Sequence, residues 1–346
     1  MPGRGFTAEL KEAVTPRAAL LVLGVLLLQL GFITSYIGAL HHPAPHRLAI
    51  GVVAPPQVSD RMVAGLGQLP GQAVDARPVA DQATAVSQLK DQRLYAALVV
   101  NPPGSQDTLL VAGARGAAAA AAAEQIATGV EQAQGRTVRV QDVVPLAPGD
   151  AKGLSSFYLV VGWCVGGYLV ASILGISAGA RPANHQRALI RLGALALYSI
   201  AAGLGGTLIA GPALGALPGG IAALWGLGSL VVFAVGAITM TLQCLFDLIG
   251  IGLAVLLFVV LGNPSAGGVY PPALLPPFWR AIGRWLPNGA GTDAARSISY
   301  FDGSGLTVPL LVLAAWAAAG VLGVLLATGR GARGGRPPVT ADTASA

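Results

Sequence analysis

The sequence predicts a polytopic α-helical membrane protein: six transmembrane helices, an extracytoplasmic α/β (or α+β) domain between the first and second, and a re-entrant or interfacial segment between the fifth and sixth. Three observations carry this. Hydrophobic residues make up 54% of the chain and charged residues 10%, against about 25% charged in an ordinary soluble domain. The apolar residues gather in six blocks, each long enough to cross a hydrocarbon core of ~30 Å as a helix. One interval, 41–155, breaks the pattern with nine Lys or Arg against nine Asp or Glu. The net charge of +6 is spread along the chain, so it serves as an orientation signal and no nucleic-acid partner is expected.

In chain order, residues 1–17 carry Arg4, Lys11 and Arg17, with Phe6, Leu10, Ala13 and Val14 on one helical face. They read as a short cytoplasmic interfacial helix, with a solvated tail as the competing reading. The block 18–40 is too long for a signal-peptide core and lacks a small-residue cleavage site, so it is expected as an uncleaved first span. His41, His42 and His46 follow it. Three imidazoles could bind a metal, but Pro43 and Pro45 hold the chain extended with no carboxylate or Cys nearby, so a linker is expected and no cofactor.

Within 41–155 strand-like and helical runs alternate: 48–53, 59–69, 73–79, 81–91, 95–100, 108–112, 117–133 and 137–144. Strands interleaved with ten-residue helices predict a small layered α/β structure. The alanine run at 117–123 is low in complexity, yet alanine is the best helix former and Glu124, Ile126, Val130 and Glu131 continue the pattern.

The remaining spans are expected at 157–178, 192–210, 221–241, 245–261 and 308–328, with a basic cytoplasmic tail from 329 to 346. The stretch 221–261 is nearly continuous. Thr239, Thr241, Gln243 and Asp247 lie at its middle, and a charge at the bilayer centre costs at least ~2.5 kcal/mol, so two spans and a tight turn are favoured. Asp247 is the one acid inside an apolar block, a candidate intramembrane acid. Parity agrees with six spans: Arg4, Lys11 and Arg17, then Arg181, Arg187 and Arg191, then Arg330, Arg333 and Arg336 all fall on one side, which the positive-inside rule makes cytoplasmic. Both termini are then cytoplasmic in a cell membrane.

Between 263 and 301 Leu274, Leu275, Phe278, Trp279, Ile282, Trp285 and Leu286 recur at helical spacing between prolines, too short to cross a membrane. This predicts the re-entrant or interfacial segment, with both Trp at headgroup depth. A second short helix is expected from Thr292 to Tyr300, with Asp293 in its first turn. Cys164 and Cys244 read as small core residues, and Gly162 and Gly166 as a close-packing pair. No phosphate-cradling glycine loop and no nucleophile, base and orienter set is present, so the chain is not expected to be an enzyme.

The run Gly262-Asn263-Pro264-Ser265-Ala266-Gly267-Gly268, followed by Pro271-Pro272-Ala273-Leu274-Leu275-Pro276, Phe278-Trp279, Leu286-Pro287-Asn288-Gly289 and Ala295-Arg296, resembles the end of the membrane domain in ABC-2 type permeases. More narrowly, it is similar to the large-ectodomain branch that includes the YhgE/Pip (phage-infection-protein) group and related actinobacterial membrane proteins. The resemblance implies a family motif at Asn263, Pro264, Ser265, Gly267, Gly268, Pro276, Trp279, Pro287 and Arg296. It also implies a homodimer or heterodimer, working with a separate ATP-binding subunit to export a lipid-like, polymeric or drug-like substrate. The loop with Arg181, Asn184, His185, Gln186, Arg187 and Arg191 would then dock that subunit; spacing alone reads it as a topology signal whose arginines contact membrane lipid. The spans are poor in polar residues, which favours a lipid-like substrate or a non-transporting receptor or scaffold whose external domain binds an envelope partner or phage. Richness in Arg, Ala and Gly with few Lys points to a GC-rich, actinobacterial source.

Overall fold

The structure, a computed structural model, describes residues 15–332. Residues 1–14, most of the expected interfacial helix, and most of the C-terminal tail lie outside the described residues. Helix α1 (Pro16–Leu40) begins where Thr15 accepts a hydrogen bond from the Ala18 amide at 3.2 Å, with a proline at the first helical positions. Its 25 residues extend ~37 Å at ~1.5 Å per residue. It is apolar all round and exposed over most of its surface, as Leu20, Val22 and Val25 illustrate.

The chain then builds a five-stranded sheet in the order β2-β1-β3-β4-β5. The elements run β1 (Leu48–Val53), α2 (Pro56–Gly67), β2 (Val74–Pro78), α3 (Gln82–Lys90), β3 (Ala96–Val99), β4 (Gln106–Val111), α4 (Ala117–Gln132) and β5 (Thr137–Asp142). β1 is parallel to β2 and β3, β4 is antiparallel to β3, and β5 is parallel to β4. Ile50 pairs with Ala76 on one side and Ala96 on the other. Alternation along the strands decides what each face meets. Leu48, Ile50, Val52, Leu98, Leu109 and Val111 face α2 and α4. Ala97 and Leu110 face α3 through Ala85 and Leu89. The alanine run is helical, and Ala119, Ala123, Ala127 and Glu131 form its buried stripe.

The helical bundle follows: α5 (Ser155–Ala178), α6 (His185–Leu208, continued by a π-helical turn over Ile209–Ala213), α7 (Ile221–Phe246), and α8 (Leu248–Val255, extended through a π-helical turn and a last short turn to Ser265). Two shorter helices, α9 (Pro277–Gly283) and α10 (Pro287–Tyr300), precede the last, α11 (Thr307–Ala332). Six of these, α1, α5, α6, α7, α8 and α11, are long and apolar enough to cross a membrane. α7 is the centre of the bundle, packed on α5, α6 and α11. α1 packs on α8 at the periphery.

Three sequence expectations change. The loop expected over 179–191 closes at Asn184, whose side chain caps α6 by accepting from the Arg187 amide at 2.9 Å. The helix therefore starts before its first long apolar run, because arginines at a helix end can reach out of the apolar layer. The tight turn expected within 221–261 is present but falls at Asp247 itself, exposed at φ +54° between α7 and α8, and not at 242–244, so Asp247 lies at the turn and not within the next span. α10 starts at Pro287, so Asp293 lies in its middle and the helix-end argument for that residue fails.

Candidate functional site at the junction of sheet and bundle

The segment after α8 is built around a missing donor. Pro264 has no N–H, so the carbonyl four residues back, Val260, is released from the helix. The Ser35 hydroxyl of α1 donates to that carbonyl. The π-helical turn Leu256–Leu261 shifts the ladder further, and the Phe258 carbonyl accepts from the Asn288 side chain of α10 at 2.9 Å. The same Asn288 amide donates to Asn263 Oδ1 at 2.7 Å, and Asn263 donates to the Tyr36 hydroxyl of α1 at 2.9 Å. One polar chain, buried at Asn288 and half-buried at Asn263 and Tyr36, thus joins α1, α8 and α10. Ser265 turns its hydroxyl onto the Leu261 carbonyl at 2.7 Å.

Beyond Ser265 the backbone turns at Gly267, whose φ of +74° favours a residue without Cβ. Its carbonyl accepts from both terminal nitrogens of Arg296, each at 3.4 Å. Gly283, closing α9, lies against the Ser265 carbonyl so tightly that a methyl group there would overlap it. α10 then inserts its buried residues among α5, α7 and α11.

The sheet domain rests on this segment. Ala273 and Leu274 complete the apolar layer beneath β1, and Phe301 completes the opposite layer beside Leu94 and Leu110. The His46 amide donates to the Ala273 carbonyl at 2.9 Å. Gln92 donates to the Ser297 hydroxyl at 3.1 Å and the Ser304 carbonyl at 2.8 Å. Tyr300 donates to Asp150 at 2.8 Å, while the other oxygen of that carboxylate accepts from the Ser155 amide and hydroxyl and caps α5. Burial, and then the Asp150 carboxylate, raise the Tyr300 phenol well above its ordinary value.

Between the two bodies lies a cavity of about 340 Å³. Arg115, Arg284 and Arg296 line it with Asp91 and Asp293. The Arg115 guanidinium stacks 3.8 Å from the Tyr95 ring centroid, and its Nη1 is buried with no hydrogen-bond partner among the described residues. Burial lowers the Arg115 pKa from its ordinary value.

The positions of the resembling motif divide. Asn263, Pro264, Ser265, Gly267, Gly268 and Arg296 gather in or beside this junction, with Gly268 against the Phe157 ring of α5. Pro287 opens α10, and Pro276 precedes α9, where Trp279 stacks edge-on with Phe278 at 5.0 Å. At the opposite end of the bundle, Arg181 donates to the Cys244 carbonyl at 2.8 and 3.1 Å. Arg191 donates to the Gly179 carbonyl at 2.7 Å and to that of Ala178. Both cap helix ends, whereas His185, Gln186 and Arg187 are exposed. Cys164 and Cys244 are buried free thiols. Gly162 and Gly166 border a groove between α5 and α6, where Gly166 meets the Tyr198 hydroxyl. Sequence reading missed Asn288 as the link, Arg115 with Tyr95, and the Tyr300–Asp150 bond. Only Asn288 lay in a motif that could have flagged it.

These features define a class by helix length and composition: a six-helix, multi-pass membrane protein with an α/β domain at one end of its bundle. Comparison with protein-family models, with curated proteins and with solved structures finds no match for this chain.

Proposed function

We propose that the chain is the permease subunit of an ABC-2 type exporter in a cell membrane, working as a dimer with a separate ATP-binding subunit on a lipid-like substrate. The observation that carries the reading is the convergence of the resembling motif: Asn263, Pro264, Ser265, Gly267 and Arg296 gather in one largely buried junction that interrupts α8 and ties it to α1 and α10. A helix broken by proline and a π-turn has two hydrogen-bonding registers within reach, which suits a moving part. The positive-inside rule assigns Arg181, Arg187 and Arg191 to the cytoplasm, and with them both termini; the sheet domain and the α9–α10 segment then face outward.

His185, Gln186 and Arg187 stand free at the cytoplasmic end of α6 in this reading, where an ATP-binding partner would dock. A photo-crosslinker at His185 or Arg187, activated in native membranes, tests it. Capture of an ATP-binding protein, lost in Arg187→Glu, supports the exporter; recovery of lipid alone removes docking from this end. A second reading, a receptor or scaffold, draws on β5, an exposed edge strand with Val140 open to solvent. Such an edge can accept a strand from a partner protein.

A further inference from the structure

The cavity between sheet domain and bundle does not end at its arginines. Val308 and Pro309, the first turn of α11, form part of its wall. Val308 also begins a second, open groove of about 490 Å³, lined by Trp285, Leu311, Val312, Ala315, Trp316 and Ala319. The two hollows therefore meet at the end of a candidate span, and their chemistry is opposite. One is walled by three guanidinium groups and two carboxylates, the other by carbon and indole.

Their dimensions match a membrane leaflet. Val308 to Ala319 along α11 is ~16 Å at ~1.5 Å per residue, close to half of a ~30 Å hydrocarbon core. Trp285 is exposed at the boundary between the hollows, with the Arg284 guanidinium 4.9 Å from its ring centroid and its carbonyl accepting from the Trp316 indole at 2.7 Å. Indole at that depth marks the headgroup layer. The charges are unbalanced in the useful direction. Arg115, Arg284 and Arg296 face Asp91 and Asp293, and none of these five forms an ion pair among the described residues. Arg115 carries a buried nitrogen with nothing to donate to, a state that costs free energy until an acceptor arrives. Arg296 has only the long contacts to the Gly267 carbonyl. Two planar guanidinium forks from different bodies aimed at one space suit an oxyanion with several acceptors.

We propose that the cavity and the groove form one binding site for an amphiphile with a phosphate head: the phosphate sits between Arg115, Arg296 and Arg284, and the acyl chain lies along Val308, Leu311 and Ala315. This deepens the exporter reading by naming its cargo class, and binding to the purified chain without any ATPase keeps the two failures apart. Because Arg115 comes from the sheet domain and Arg296 from α10, occupancy also clamps the domain to the bundle.

The test uses the full-length chain purified in detergent and watched by native mass spectrometry with phosphatidylglycerol, with diacylglycerol of the same chains, and with inorganic phosphate. The expected result is one phosphatidylglycerol retained per chain, with diacylglycerol and phosphate at least tenfold weaker. Arg115→Gln and Arg296→Gln each reduce retention about tenfold, as does the exposed Arg284→Gln, whose position makes misfolding no explanation. Ala315→Trp fills the groove and lowers lipid retention while leaving phosphate affinity unchanged. Equal retention by the wild type and Arg284→Gln overturns the proposal, as does retention of diacylglycerol equal to that of phosphatidylglycerol. Phosphate binding as tightly as the lipid would make this a free-anion site and overturn the amphiphile.

Discussion

Asp107 and Glu131 are two buried carboxyl groups within reach of one guanidinium, that of Arg136. Arg136 bonds Asp107 at 2.6 and 2.7 Å and the carbonyls of Gly104 and Asn101 at 2.8 and 2.9 Å. Glu131 is left with a 3.4 Å ionic contact and no hydrogen bond. Burial first, and then the Asp107 carboxylate, push Glu131 up to about 7 from 4.5. A raised folded pKa means stability that is complete below the unfolded value and lost as pH rises through the folded one. The domain should therefore weaken between about pH 4.5 and about pH 7, and Glu131→Gln should flatten that slope in thermal unfolding. A slope unchanged by the substitution would show Glu131 charged in the fold. Asn288 has a different role, since it satisfies both the Phe258 carbonyl and Asn263. Asn288→Ala leaves the buried Phe258 carbonyl bare and frees the half-buried Asn263 side chain, and should cost about 1–3 kcal/mol, read as a lower unfolding temperature in detergent.

At the scale of elements, α8, α9 and α10 form one folded-back unit, joined by close backbone approaches at Gly283 and Gly289 and by the Asn288 side chain. The Gly283–Ser265 approach leaves no room for a methyl group. Gly283→Ala should cost about 1–3 kcal/mol through forced separation of α9 from the end of α8. Gly24→Ala, in α1 where nothing lies within 4 Å, should be neutral or stabilising by up to about 1 kcal/mol. Equal effects of the two on unfolding temperature would mean that the fold-back is loose.

At the scale of the whole molecule, segments between the bundle helices complete the cores of the sheet domain. Ala273, Leu274 and Phe301 belong in sequence to the helical part, yet are buried against strands of the domain. A fragment of residues 43–153 alone would expose the surface they cover. It should unfold at a lower temperature than the same domain in the intact chain, and bind a hydrophobic dye that the intact chain excludes at that site. A fragment as stable as the whole would mean that the junction is a passive contact. Asp150 works for both bodies: Asp150→Ala removes the cap of α5 and the Tyr300 bond together, and should cost more than Tyr300→Phe, which removes one alone.

The local patterns were legible in the chain itself. Apolar blocks of sufficient length marked six candidate spans, and a short apolar run bounded by prolines located β1 at Leu48–Val53, because burial acts through near neighbours. The split of the long apolar stretch was legible from Asp247, since a charge resists the apolar layer. What could not be read were contacts between distant segments. The Asn288–Asn263–Tyr36 chain, and the Arg115, Arg284 and Arg296 cavity, draw on separate segments, and local spacing says nothing of which residues meet across them. Loop 179–191 looked like one basic surface, but Arg181 and Arg191 are spent on helix carbonyls, which only the crossing of α5, α6 and α7 decides. Sequence alone determined which residues leave water. Tertiary structure decided which polar groups were left to find one another, because a hydrogen bond needs its partner within about 3 Å and periodicity says nothing of that distance.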